Sequence, residues 1–368
     1  MITFTDQPTH PPYPAYNNTV VRFKVTDEEA TPTISTITVG GVSFEVYPDS
    51  NGEFYFNFKN IIPSLINKSN FADNVPPPNG NWLQTDPDLY HELTAEFTFI
   101  LEEGEPEEAS MTLPFLKSVL QKGQRRHVNS DIRPLDHSIS QLSQVTYFEG
   151  MPFDVSIYSD TEREVTIRNA KTQMQVTRTF EKGVNRLFIS SGANKAPESF
   201  ENDVPLYIGV NDLEFIVDGD VRFTLQVDKK PAECGQLLKW FNPSGGWSYW
   251  RFSEIYLETT AARTIERLHG DFDNLDNSRW NVSITGKDVE RERLLRSGIM
   301  TANELEYVKH IVAAPKVYLF VGDLHQPYEK QDFIEVEVSG RMTTSTKPKM
   351  KEIELTMLMP TQYSQTLW

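Results

Sequence analysis

The stretch Cys234–Phe252, CGQLLKWFNPSGGWSYWRF, decides how the chain is read. It holds the one cysteine and, in Trp240, Trp247 and Trp250, half of the six tryptophans. Leu237–Phe241 is a short apolar run of strand-compatible residues. Asn242-Pro243-Ser244-Gly245-Gly246 supplies turn chemistry, with proline fixing one φ and two glycines free to take positive φ. Trp247, Tyr249, Trp250 and Phe252 return as an aromatic strand. The expected element is a β-hairpin packed into a core, where offset ring pairs add about 0.5–1.5 kcal/mol each. Left exposed, the same rings would form a platform for a ligand such as a sugar. Cys234 is expected as a small buried hydrophobe, with no neighbours that would mark a nucleophile.

Outward from the hairpin, the fold class is mainly β and multi-domain: β-sandwich-like N-terminal and middle domains, then an α+β C-terminal domain with one packed helix. The 23 prolines and 19 glycines are spread along the chain, as suits short strands joined by turns. Residues 1–18, with Pro8, Pro11, Pro12 and Pro14, read as an extended arm that is disordered or laid on a neighbour. Residues 19–135 form an N-terminal β domain with strands at Val20–Val25, Ile34–Val39, Val42–Tyr47, Phe54–Phe58 and His91–Leu101. Ile61–Asn67 is a short helix, with Pro63 tolerated in its first turn. The glutamate-rich Glu102–Glu108 and the locally basic Lys117–His127 read as exposed loop and linker.

Residues 136–230 are a middle β-sandwich. Strand-length runs at 145–148, 153–158, 164–168, 173–178, 186–189, 206–210, 213–217 and 221–227 recur about every 8–12 residues, the spacing of an antiparallel sandwich. Residues 231–368 are the C-terminal α+β domain. In it Thr301 and Glu304 form a capping box, and Leu305, Val308, Ile311 and Val312 make one helical face. Pro315 ends that helix, and Val317–Val321 follows as a strand. Phe333–Val338 and Ile353–Met359 are the two sides of a long hairpin around a basic loop, Arg341–Lys351.

The chain carries 35 basic and 52 acidic residues, a net charge of −17, which argues against nucleic acid and anionic membrane surfaces as partners. One cysteine allows no internal disulfide and points to a reducing compartment. The start lacks the basic and apolar regions of a signal peptide, and no apolar run is long enough to span a bilayer. The seven histidines are scattered without metal-ligand spacing. Asp271–Asn277 imitates a calcium loop only loosely, since Leu275 sits where an oxygen ligand belongs. No nucleophile elbow, Walker loop or dinucleotide fingerprint is present. The expectation is a protein without cofactor, metal or catalytic residues.

Three stretches carry a resemblance. Gly52–Leu65 reads Gly-x-Phe-x-Phe-Asn leading into Ile-Ile-x-x-Leu. Cys234–Phe252 reads Cys-x5-Trp-x-Asn-x2-Gly-Gly-Trp-x-Tyr-Trp-x-Phe. Glu304–Ile311, Glu-Leu-x-x-Val-x-x-Ile, runs into Pro315-x-Val-Tyr318. Together they resemble a family of structural virion proteins of tailed bacteriophages, especially those infecting Bacteroidetes. This chain departs from the family's usual hairpin at Pro243 and Ser244, where a basic residue often sits, and at Ser248, where an acid does.

The resemblance implies a non-enzymatic, distal-tail-like component of the tail or baseplate. It would form a homo-oligomeric ring, contact other tail proteins, and be assembled in the host cytoplasm. Arg341, Lys347, Lys349 and Lys351 are then the candidate oligomer contact, through strand addition by the long hairpin. The alternative is a receptor-binding or carbohydrate-binding adhesion module. In it, the middle sandwich or the tryptophan hairpin would recognise a host surface glycan.

Overall fold

The computed structural model describes residues 2–25, 34–100, 106–121, 131–136, 143–192, 199–269, 282–323, 326–339, 343–344 and 352–360. The fold is mainly β, built from several sheets and short helices. By its contacts the chain divides into two compact units. The first comprises Met1–Ala232, Phe241–Ser248 and Asp323–Lys330; the second comprises Glu233–Trp240, Tyr249–Gly322 and Gln331–Trp368. The division therefore falls inside the aromatic hairpin, whose turn belongs to the first unit and most of whose strands belong to the second.

The first unit contains two pairs of sheets. In one pair, strands Ile2–Asp6, Val20–Val25 and Phe54–Asn57 form a three-stranded sheet. A five-stranded sheet accompanies it, and a phenylalanine core of Phe23, Phe54, Phe97 and Phe99 has ring centroids 4.9–5.6 Å apart. The expected N-terminal arm is extended, but it belongs to this chain's own fold. Ile2–Asp6 pairs antiparallel with Val20–Val25, and Tyr13–Pro14 pairs parallel with Glu107–Leu116. Tyr13 and Ala15 are buried there, because apolar side chains among the prolines gain more from the core than from solvent.

The other pair is the middle sandwich. One sheet orders Ser143–Phe148, Asp220–Lys230, Gly209–Val217, Arg163–Asn169 and Gln175–Phe180; the other orders Ile132–Pro134, Pro152–Ser159, Gly183–Ser191 and Leu83–Thr85. Among the described residues the expected antiparallel pattern has one exception, the parallel pair of Ser143–Phe148 with Asp220–Lys230. Leu83–Thr85 comes from the N-terminal stretch, so the boundary drawn at residue 135 runs through a shared sheet.

Two strands expected at 206–210 and 213–217 are one strand, Gly209–Val217. The polar Asn211 does not interrupt it, because its buried amide donates to the Tyr207 and Gly209 carbonyls at 2.7 and 2.9 Å. Pro152–Ser159 and Gly183–Ser191 are buried at every position, so both faces of that sheet are covered.

The second unit is built on the sheet Trp247–Ser253, Gly235–Phe241, Val317–Phe320, Phe333–Val338, Ile353–Leu358, Lys287–Arg296, Leu257–Thr264, with Thr343–Thr344 alongside Ile353–Leu358. The expected long C-terminal hairpin is present, pairing Val338 with Met357. The capped helix is Ala302–Val308, prolonged by a 3-10 turn at Lys309–Ala313. Thr301 Oγ1 accepts from Glu304 N, and Glu304 Oε2 accepts from Thr301 N, completing the capping box. Tyr307, Val308 and Ile311 form the buried face; Leu305 and Val312, expected there, are half-buried. Of the expected strand Trp280–Ile284, Val282–Ile284 is a strand, and residues 280 and 281 lie outside the described residues. Asp271–Asn277 and most of the glutamate-rich loop lie outside the described residues.

Candidate functional site

The turn of the aromatic hairpin is held by a dense set of polar contacts. Asn242 Oδ1 accepts from the backbone N–H of Ser244 at 2.9 Å and of Gly246 at 3.2 Å, closing the turn as an Asx motif. Its Nδ2 donates to the Leu135 carbonyl and to Ser248 Oγ, both at 3.0 Å. Asn242 is buried with its amide fully used, so no substitute side chain reproduces the set.

Around the turn, Val119 N donates to the Pro243 carbonyl at 2.7 Å. The two glycines are required by close approach. A Cβ at Gly246 would lie 2.9 Å from both the Leu135 carbonyl and the Ser156 Cβ, and one at Gly245 would lie 3.0 Å from the Lys117 carbonyl. Gly246→Ala is therefore expected to destabilise the first unit by about 1–3 kcal/mol, the cost of overpacking a filled site. Chemical denaturation followed by tryptophan fluorescence measures it, and an unchanged midpoint would refute the tight fit.

The turn sits on the outer face of the Pro152–Ser159 and Gly183–Ser191 strands. Their register pairs Asp154 with Phe188 and Ser156 with Arg186, which puts these four side chains on one face and Val155, Ile157 and Leu187 on the core face. Arg186 is fully buried. It forms a two-pronged pair with Asp154, Nε to Oδ2 at 2.8 Å and Nη2 to Oδ1 at 2.7 Å. Its Nη1 donates to Asp73 at 2.6 Å and lies 3.7 Å from Asp86.

The guanidinium also lies over the rings of Phe188 and Trp247, at 5.1 and 5.9 Å. Three carboxylates thus surround one cation in a water-poor setting. Burial pushes Asp86 up to about 6 and the nearby Asp73 works the same way, while Arg186 and the backbone N–H of Asp88 oppose it. Tyr328, itself buried, has its hydroxyl pushed well above 10 by burial and then by Asp154. The arrangement ties residues 73, 86, 154, 186, 247 and 328 into one charged knot.

Lys117, expected in an exposed linker, is buried instead. Its Nζ lies 4.5 Å from the Phe71 ring centroid and 6.0 Å from that of Phe241, and donates to Ser69 Oγ at 3.1 Å. Desolvation holds it below the usual lysine value, with Asp88 and Asp86 opposing. The aromatic faces replace part of its hydration.

Asp136, beside the carbonyl that receives Asn242, is pushed up to about 7 by burial, with the Ser143 hydroxyl working against the shift. Among the described residues neither Asp136 oxygen meets a donor at full hydrogen-bonding geometry.

A separate polar pocket of about 210 Å³ opens in the middle sandwich, lined by Tyr147, Glu149, Ser190, Ser199, Glu201 and Lys229 among others. Lys229 reaches Glu149 at 2.9 Å and also binds Glu201. Burial lowers its affinity for the proton, but the hydrogen bonds and charges of Glu201 and Glu149 outweigh burial and raise it. The pocket's cation is thus internal and neutralised.

Among the described residues no group of three or more histidines, cysteines or carboxylates is arranged to hold a metal ion. No helix among them is long and apolar enough to cross a membrane. No family model and no curated protein matches the chain. Solved structures show only a low likeness. The fibronectin(III)-like modules of CbhA from Clostridium thermocellum align with a TM-score of 0.21 at 9% identity, over 63% of this chain and 95% of theirs. A tetra-tandem repeat from the extending region of a large adhesion protein aligns with a TM-score of 0.23 at 10% identity, over 80% and 69%. A Ca2+-stabilized adhesin of an Antarctic bacterium aligns with a TM-score of 0.17 at 10% identity, over 96% and 69%. Scores this low carry no functional argument.

The residues singled out in the sequence do not all come together in one place. Asn242, Gly245, Gly246 and Trp247 come together at the turn, in the first unit. Trp240, Tyr249, Trp250 and Phe252 are buried in the second. There Trp240 stands edge-on to Tyr307 at 5.5 Å, and Tyr249 N donates to the Tyr307 hydroxyl at 3.1 Å. With every ring of the hairpin buried, the exposed sugar platform weighed for it is absent.

Cys234 is exposed rather than buried, at the edge of the first strand, where its carbonyl accepts from Arg251 at 2.8 Å. Thr301 and Glu304 form the cap as expected. Arg341, Lys347, Lys349 and Lys351 lie outside the described residues. Arg186, Asp73, Asp86, Asp154 and Lys229 were not singled out. They are far apart in sequence, and no local motif marks residues that meet only through sheet register.

Proposed function

We propose that the protein is a structural, non-enzymatic component of a tailed-phage virion that self-associates in the tail or baseplate and joins other tail proteins there. The observation that carries this reading is an exposed two-stranded arm in the second unit, Leu257–Thr264 paired with Lys287–Arg296. An isolated ribbon of this kind is only marginally stable in water and gains from a covering partner. The resemblance of the hairpin and the capped helix to tailed-phage structural proteins supports the same reading. So does the investment of buried charge in the Arg186 knot, which fixes geometry and leaves its groups satisfied internally. Assembly in a host cytoplasm fits an exposed, unpaired Cys234.

The glycan-binding reading loses its hairpin, whose rings are shielded, and retains the middle sandwich. Light scattering of the purified protein across concentration and salt tests the proposal. A discrete oligomer larger than a dimer is expected, and a strict monomer at every concentration would overturn intrinsic self-assembly.

A further inference from the structure

The Leu257–Thr264 strand is exposed along its length, with only Thr264 half-buried. It ends the sheet order, pairing on one side with Lys287–Arg296. The next strand, Ile353–Leu358, reaches only Glu292–Arg296, so the outer part of the arm is a ribbon of two strands. Toward the tip, Ile265, Leu268 and Ile284 are exposed.

The ladder register sorts the arm's charges by face. Glu258, Thr260, Ala262 and Thr264 stand opposite Arg293, Arg291, Val289 and Lys287. Leu257, Thr259, Ala261 and Arg263 stand opposite Leu294, Glu292, Glu290 and Asp288. Because alternate residues of a strand point to opposite faces, one face carries three cations and one carboxylate, and the other three carboxylates and one cation. On the basic face Arg293 donates to Glu258 at 2.7 Å and to Gln236 at 3.2 Å, which fixes its position. On the acidic face Asp288, Glu290 and Glu292 are exposed. The central side chains of the outer strand, Thr259, Thr260, Ala261 and Ala262, are small and exposed.

We propose that the arm is a self-association element in which the basic face of one copy packs on the acidic face of the next copy of this chain. The inference rests on the assembly reading above and names its contact surface. Stacked sheets stand about 10 Å apart, a gap that long arginine and glutamate side chains span. Like faces repel, so the contact joins unlike surfaces head to tail and closes into a ring where the rotation allows. In a chain of net charge −17, the basic face gives a second copy a local point of attraction.

The test uses the full-length protein and sedimentation velocity. The wild type is expected to associate at low ionic strength, and its dissociation constant should rise at least tenfold between about 0.1 M and about 0.5 M salt. Two reversed variants follow, Asp288→Lys with Glu290→Lys, and Lys287→Glu with Arg291→Glu. Each alone should be monomeric, while an equimolar mixture should recover the oligomer, since the reversed acidic face of one variant then meets the reversed basic face of the other and their unreversed faces meet as in the wild type.

Circular dichroism and urea midpoints establish folding. If a double variant fails to fold, Glu290→Lys and Lys287→Glu alone take its place, with at least a tenfold weakening expected. An oligomer that persists in both reversed variants overturns the arm contact while leaving self-assembly standing, as does a mixture of folded variants that stays monomeric. A wild type monomeric at every concentration overturns the arm and self-assembly together.

Discussion

Arg186→Leu is expected to destabilise the first unit by about 3–5 kcal/mol at pH 7.5, the range for breaking a buried ion pair from one side. Leucine fills part of the volume but leaves Asp154, Asp73 and Asp86 facing one another without their cation. Asp154 loses both prongs of its pair, at 2.8 and 2.7 Å, and Asp73 loses its 2.6 Å bond. Urea denaturation followed by near-UV circular dichroism reads the loss as a shifted midpoint. A shift worth less than about 1 kcal/mol, the scale of an exposed pair, would show that water reaches the knot.

The pH dependence sharpens this test. Asp86 in the folded wild type is raised to about 6, above its usual value, so the folded state binds the proton more tightly than the unfolded chain. Its contribution is therefore fully favourable below the unfolded value and is lost as pH rises from about 4 through about 6. Arg186 opposes that rise, so its removal moves Asp86 further up and extends the loss to higher pH. The penalty of Arg186→Leu should be largest above pH 7 and shrink toward pH 5, where protonated carboxyls need no cation. Asp86→Asn in the wild type should flatten the wild type's fall between pH 4 and 6. A penalty independent of pH would mean that the arginine acts by packing alone.

The hairpin, the capped helix and the alternation of the middle strands were legible because each is written locally. Turn residues, a capping box and period-two hydropathy all act within a few residues. Lys287–Arg296 and Leu257–Thr264 were not legible. Along Lys287–Arg296 the period of two is carried by charge sign, Asp288, Glu290 and Glu292 against Lys287, Arg291 and Arg293, and not by hydropathy. Leu257–Thr264, with Thr259, Thr260, Ala261 and Ala262 at its centre, shows no apolar face at all. Glu107–Leu116 was not expected as a strand, and its first residues read as a continuation of an acidic loop.

The Arg186 knot is hidden in another way. Arg186 and Asp154 lie on strands whose every position is buried, and a charge inside such a run is explained only by partners that the register brings from elsewhere. Lys117 shows the converse, a basic residue that sequence context places in a solvated linker and that aromatic faces draw inside.

Trp240→Ala should cost the second unit about 3–5 kcal/mol, as expected for a large aromatic side chain removed from a filled core. Trp240 is fully buried and meets the Tyr307 ring edge-on, at 5.5 Å and 61°. The indole N–H has no hydrogen-bond partner among the described residues. Its burial is therefore a cost that apolar contact must exceed. That predicts an ordering rather than a single number. Trp240→Phe keeps most of the buried ring and removes the unsatisfied donor, so its cost should be about 1 kcal/mol. Urea unfolding of both variants, followed by near-UV circular dichroism, gives the two values side by side. A large loss for alanine and a small one for phenylalanine would mean that the helix is held to the hairpin by ring burial. Equal losses would mean that the indole N–H anchors the helix through a hydrogen bond, and the packing account of the hairpin would have to give way.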